Sequence, residues 1–138
     1  MDHIEPLSAL IIEFYERLSS WEHDVVRDSG LTLPQMHTLE ILGQHPALRM
    51  KDLAAKMGVT TGTLTMTVDR LEKRGMVVRT HNETDRRSVL VTLTGAGRSQ
   101  FAQHHGLHLE LTRELSMALT TPELQSLRTI LTKVNQAF

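Results

Sequence analysis

Apolar residues near the start of the chain recur at spacings of three and four: Ile4, Leu7, Ile11, Phe14, Leu18, Trp21 and Val25. That period predicts an amphipathic helix that packs on another helix, and Ser29-Gly30 predicts its end. A second helix is expected from Leu33, with Pro34 tolerated in its first turn and Met36, Leu39, Ile41 and Leu42 on its apolar side. Gly43 and Pro46 bound it. Within residues 51–75, KDLAAKMGVTTGTLTMTVDRLEKRG, the residues Leu53, Ala54 and Met57 predict a short helix and Gly58-Val59 a tight turn. Thr60 is placed to cap a longer helix that buries Leu64, Val68 and Leu71 and ends at Gly75. Met76–His81 and Val89–Leu93 are β-branched and read as the two strands of a hairpin, joined by the polar loop Asn82–Arg87. Thr94 is expected to cap a long helix carrying Phe101, Leu107, Leu111, Leu115 and Leu119. Thr121-Pro122-Glu123 opens a last helix with Leu124, Leu127, Ile130, Leu131 and Val134 on one face.

Two short helices joined by a glycine turn, the second basic at its end and followed by a hairpin, make a winged helix-turn-helix. The expected architecture is a single domain over residues 1–138, mainly α with a small β-hairpin wing. The winged motif occupies 31–93, and long helices from 1–30 and 94–138 flank it. Those flanking helices carry more apolar seam than one small domain can cover, which predicts a homodimer. With 4% aromatic residues, the core must rest on Leu, Val, Ile, Met and Ala. There is no apolar run long enough for a membrane span and no secretory pattern at the start, so a cytoplasmic protein without a membrane partner is expected. The absence of cysteine excludes disulfides, thiol switches and thiolate metal sites.

The net charge is −1, but its distribution is uneven. Residues 1–48 hold two arginines against eight acids, while residues 49–98 hold ten Lys or Arg against five acids. A nucleic-acid contact therefore belongs in the middle third. Thr61, Gly62, Thr63, Thr65 and Met66 form the outer N-terminal part of the expected recognition helix, where hydroxyls and methyls can meet base edges in a major groove. Lys51, Arg70, Lys73 and Arg74, with Lys56, suit phosphate contacts. Arg86 and Arg87 at the hairpin tip suit a narrow minor groove, and Asp85 can orient Arg87 through a charge-assisted contact. No nucleophile elbow, P-loop or dinucleotide fingerprint is present, so an enzyme is not expected. A protein-interaction module on the same scaffold is the alternative class, and it lacks the salt-dependent DNA affinity of a regulator.

Eight histidines are present, and His104, His105 and His108 cluster on one helix. His104 and His108, four apart, share a face at a spacing that lets two imidazoles hold one metal. Asp24 and His37 are placed to supply the remaining ligands. His3, His45 and His81 read as solvated surface groups. No cofactor is required for DNA binding; zinc is the metal this set suggests.

The run from Asp52 to Arg98 resembles the core of the MarR (multiple antibiotic resistance regulator) family. The marks are Leu71-Glu72-Lys73-Arg74-Gly75, Asp85-Arg86-Arg87 and Leu93-Thr94-Gly95-Ala96-Gly97. The resemblance implies a homodimeric transcriptional regulator, a repressor by default, on a pseudo-palindromic double-stranded operator. Arg87 would then be the minor-groove arginine and Asp85 its orienting partner. The Asp24, His37, His104 and His108 set resembles the zinc-sensing branch of that family, with Asp where Glu is usual. The rival effector is a small aromatic or lipophilic acid, as many members use, in a pocket helped by Trp21, Met36 and Leu107. Either ligand would act on the separation of the two recognition helices, which must be about 34 Å to reach successive major grooves. A bridging metal would fix that geometry, whereas a wedged acid would spoil it.

Overall fold

The computed structural model describes residues 2–81, 83–85 and 87–138; Met1, Asn82 and the expected wing residue Arg86 lie outside them. The elements are α1 (Ile4–Ser29), α2 (Leu33–Gly43), β1 (Leu48–Arg49), α3 (Met50–Met57), α4 (Thr61–Lys73), β2 (Val77–His81), β3 (Val89–Leu93), α5 (Gly95–Ser116) and α6 (Thr121–Gln136). The protein is mainly helical with a small antiparallel sheet, as the hydrophobic pattern predicts. β3 lies between β1 and β2, with Leu48 opposite Val91 and Val77 opposite Leu93. β1 is an addition to the expected hairpin; at two residues it is too short to show an alternating pattern.

Local chemistry explains the boundaries. Thr32 caps α2 by accepting from the Gln35 N–H while the Gln35 side chain accepts from the Thr32 N–H, a reciprocal capping box. Thr60 caps α4 by accepting from the Thr63 N–H at 3.1 Å. For α6 the cap is Thr120, one residue before the expected position, because Glu123 then falls where its carboxylate can accept from the Thr120 N–H at 2.9 Å.

The motif residues 71–75 and 93–97 meet at one joint. Gly75 takes a left-handed φ of 72°, which ends α4 and turns the chain into β2. Thr94 donates its hydroxyl to the Gly75 carbonyl and accepts the Gly97 N–H at 3.1 Å, so it fastens the sheet and caps α5 together. A Cβ on Gly97 would run into the Met76 carbonyl, so the start of α5 can approach β2 only with glycine there.

The chain forms two compact units, one ending at His104 and the other His105–Phe138. In the first, Leu39, Leu42, Leu53, Leu64, Val68, Leu71, Val77 and Val91 are almost wholly buried and join α2, α3, α4 and the sheet. Along α1 only Val26 is buried; Ile4, Leu7, Ile11 and Phe14 are each more than half exposed. In the second unit α6 buries no residue, and Leu127, Ile130, Leu131 and Val134 stay exposed. The N-terminal half of the amphipathic face expected on α1, and most of that on α6, are thus left exposed, while Leu18, Trp21 and Val25 are half-buried.

Because Leu71 is fully buried beneath α4, Leu71→Ala should cost about 2–5 kcal/mol of unfolding free energy in urea titration. A loss under 1 kcal/mol would show that this side chain does not anchor the helix.

Candidate nucleic-acid interface and a buried acid–histidine cluster

Burial of Leu64, Val68 and Leu71 on the inner side of α4 forces Thr61, Gly62, Thr63, Thr65 and Met66 outward, and all five are exposed. The Thr65 hydroxyl donates to the Thr61 carbonyl at 2.8 Å, which fixes its rotamer and leaves its methyl and oxygen lone pairs available. At Gly62 a Cβ would meet only the Thr60 hydroxyl oxygen, at 3.9 Å, so packing within the chain does not demand glycine there. Lys51 on α3 and Arg70 and Lys73 on α4 are exposed.

Arg74 is placed differently from the phosphate contact expected of it. Its guanidinium donates to the Gly30 carbonyl at 3.0 Å, tying the end of α4 to the end of α1. Asp85 also acts differently from expectation. Its carboxylate accepts from the Arg87 backbone N–H at 3.0 Å and from the Ser88 hydroxyl at 3.3 Å, so it shapes the loop that carries Arg87. Arg87 itself is exposed.

Sequence reasoning missed Arg79. On β2 its guanidinium pairs with Asp69 at 2.5 Å and with Glu72 at 3.1 Å, and its backbone N–H donates to Glu72 at 3.1 Å. An alternating strand pattern marks Arg79 only as a polar position, and nothing in it names partners on α4.

Of the expected metal ligands, the structure brings His104 to a carboxylate centre but not Asp24. His104 is buried, and its Nε2 lies 2.7 Å from Glu22 Oε1 and 2.6 Å from Glu40 Oε1. Asp24 lies on the exposed side of α1, 3.6 Å from Arg27, because two residues along a helix turn a side chain by about 200°. Glu22 instead follows Trp21 on the inward side, and the Trp21 ring sits 6.5 Å from the His104 ring. His37 is exposed but lines a hollow of about 400 Å³ together with Glu22, Glu40, Leu33, Pro34, Met57 and Val59. His108 stands one turn beyond His104 on α5, so the expected pair of imidazoles does share a helix face. The expected pocket residues fall elsewhere. Met36 is 1% exposed and belongs to the core, since α2 is buried around most of its girth; Trp21 neighbours His104, and Leu107 is exposed in the second unit.

Burial is the main reason the Glu40 carboxyl is pushed up to about 7, with the charge of Glu22 and a hydrogen bond donated by the protonated Glu40 to that residue adding to it. Two carboxyls and one imidazole nitrogen therefore converge on one point, with a proton retained near neutrality.

A buried helix pair carrying an outward threonine-rich helix, followed by a basic hairpin, defines a winged helix-turn-helix of the DNA-binding class. The MarR family profile matches residues 31–89. The chain is 43% identical over 94 residues to the HTH-type transcriptional regulator YfiV of Bacillus subtilis, covering 67% of this chain and 58% of that one. It is 34% identical over 109 residues to the transcriptional repressor MdtR of the same organism, covering 78% and 70%. Among solved structures, Streptococcus pneumoniae FabT in complex with DNA superposes with a TM-score of 0.80 at 26% identity, covering 98% of this chain and 96% of that one. The chain belongs to the MarR family of transcriptional regulators, which are not enzymes. Among the described residues, no helix is long and apolar enough to cross a membrane.

The raised Glu40 value has a thermal consequence. The native state holds this proton more tightly than the unfolded chain, so its contribution is present at low pH and is lost as pH rises from about 4.5 to about 7. Without metal, Glu40→Gln should therefore gain stability relative to wild type as pH goes from about 5 to about 8. The gain should be about 1–2 kcal/mol after allowing for solvent screening of a partly exposed group. Parallel melting curves that keep a constant gap across that range would contradict the assignment.

Proposed function

We propose that this chain is a homodimeric transcriptional repressor that places α4 in the major groove of a pseudo-palindromic operator and the Arg87 loop in the adjacent minor groove. One observation carries the reading: the Thr61–Met66 surface is exposed on a helix whose opposite side is fixed in the core. Thr61, Gly62, Thr63, Thr65 and Met66 face the bases; Lys51, Arg70 and Lys73 hold phosphates; Arg87, with Arg86 beside it in the sequence, enters the minor groove. The uncovered apolar faces of α1 and α6 support dimerisation, since large exposed apolar patches mark association surfaces. FabT with bound DNA and MdtR as a named repressor support the assignment.

The effector reading that the cluster favours is a divalent metal such as zinc, held by Glu22, Glu40 and His104. Carboxylate and imidazole are the ligand types zinc takes, and the hollow lined by Glu22, His37 and Glu40 gives a way in. An anionic effector would face both carboxylates there, which disfavours the aromatic-acid alternative. A metal bridging α1, α2 and α5 would fix the position of the helix-turn-helix and act as corepressor. Binding needs Glu40 deprotonated, so affinity should fall as pH drops below about 7.

The DNA reading is tested by fluorescence anisotropy on duplex from upstream of the chain's own gene. Affinity should fall steeply with salt, and Arg87→Ala should weaken it at least tenfold, or about 1.4 kcal/mol; unchanged affinity would remove the wing from the interface. The metal reading is tested by zinc competition against a chromogenic chelator. Tight binding in wild type that is lost in both Glu22→Gln and His104→Ala is expected, and equal binding by wild type and variants would sink the site. Sedimentation equilibrium should give a dimer that Leu7→Glu with Ile11→Glu converts to monomer.

A further inference from the structure

Recognition helices meet polyanions, so acids on their outer side need an explanation. Thr61, Thr65, Asp69 and Glu72 follow one another on α4 at spacings of four, four and three, which places the two acids in line with the expected reading residues. Neither acid is buried, with side chains 53% and 41% exposed. Arg79 is the residue that answers them. It reaches from β2 to both carboxylates, and the same guanidinium approaches the Thr65 carbonyl at 3.5 Å. Its side chain is 25% exposed, less than either partner, so it is held against the helix rather than extended towards solvent.

We infer that Arg79 is a charge-masking residue for DNA binding: it cancels Asp69 and Glu72 beside the reading surface. One cation shared by two acids leaves this patch with a single net negative charge, where an unpaired patch would carry two. Near a phosphate backbone each uncompensated acid opposes binding irrespective of base sequence, and salt screens the effect.

The inference rests on the DNA-binding reading, and its test uses a fixed duplex of arbitrary sequence, because the masking is electrostatic. Anisotropy is measured at about 50 mM and about 200 mM salt for wild type, Arg79→Met, and Arg79→Met combined with Asp69→Asn and Glu72→Gln. Arg79→Met should bind about tenfold more weakly at the lower salt and lose less at the higher. The triple variant, which removes the acids as well, should return to within about threefold of wild type. Arg79→Lys, which keeps the charge but not the fork, should recover most of the affinity. Circular dichroism checks that each variant is folded, and Asp69→Asn with Glu72→Gln in the wild-type background, which leaves Arg79 unmasked, should bind more tightly than wild type. Equal binding by wild type and Arg79→Met would overturn the role of Arg79. So would a triple variant as weak as Arg79→Met, or an acid-neutralised double variant no tighter than wild type. A wild type that fails to bind the duplex at about 50 mM salt would contradict the DNA-binding reading itself.

Discussion

What α4 buries decides what it can show. Leu64, Val68 and Leu71 are fully buried at spacings of four and three, and burying each is worth about 1.5–3 kcal/mol. Together they approach the whole net stability of an ordinary domain, about 5–15 kcal/mol. The helix therefore cannot rotate about its own axis to hide or expose Thr61, Thr65 and Met66 without unfolding the core. Any control over DNA binding must move the helix-turn-helix as a rigid body. That is why the connections at its rim, Gly30 with Arg74 and Gly75 with Thr94, matter more than adjustments within it.

The acid–histidine cluster lies at such a rim. Glu22 comes from α1, Glu40 from α2 and His104 from α5, and their polar atoms approach within 2.7 Å. Two carboxyls in one partly buried place cannot both ionise cheaply, and Glu40 answers by keeping its proton to about 7. A divalent cation would remove that repulsion and hold the same three helices by bonds stronger than a shared proton. The ion would thus have a differential affinity for the arrangement in which α1, α2 and α5 are drawn together, which a regulatory ligand must have.

Much of this was legible in the chain. The spacing of Leu64, Val68 and Leu71 marks the recognition helix, Gly75 its end and Thr94 the cap of the next helix; that Gly75, Thr94 and Gly97 meet in one joint is not visible in the sequence. Local rules worked where the cause was local. The misses have non-local causes. The sequence points to Asp24 and not to Glu22, because the register of α1 against α2 and α5 cannot be read from the apolar seam alone. Met36 was given to a pocket because a helix buried on most sides shows no single apolar face. Neither the Arg74 contact nor the Arg79 contacts are visible in the sequence. Their partners, Gly30, Asp69 and Glu72, are 44, 10 and 7 residues away and are set by tertiary packing.

In the proposed dimer, two copies of α4 and the wing read DNA with two-fold symmetry. Selection from a random-sequence duplex library by the purified protein reads out that symmetry. The expected outcome is an enriched inverted repeat whose half-sites are centred about 10 base pairs apart, one helical turn. An enriched sequence without two-fold symmetry, or no enrichment over the starting library, would contradict it.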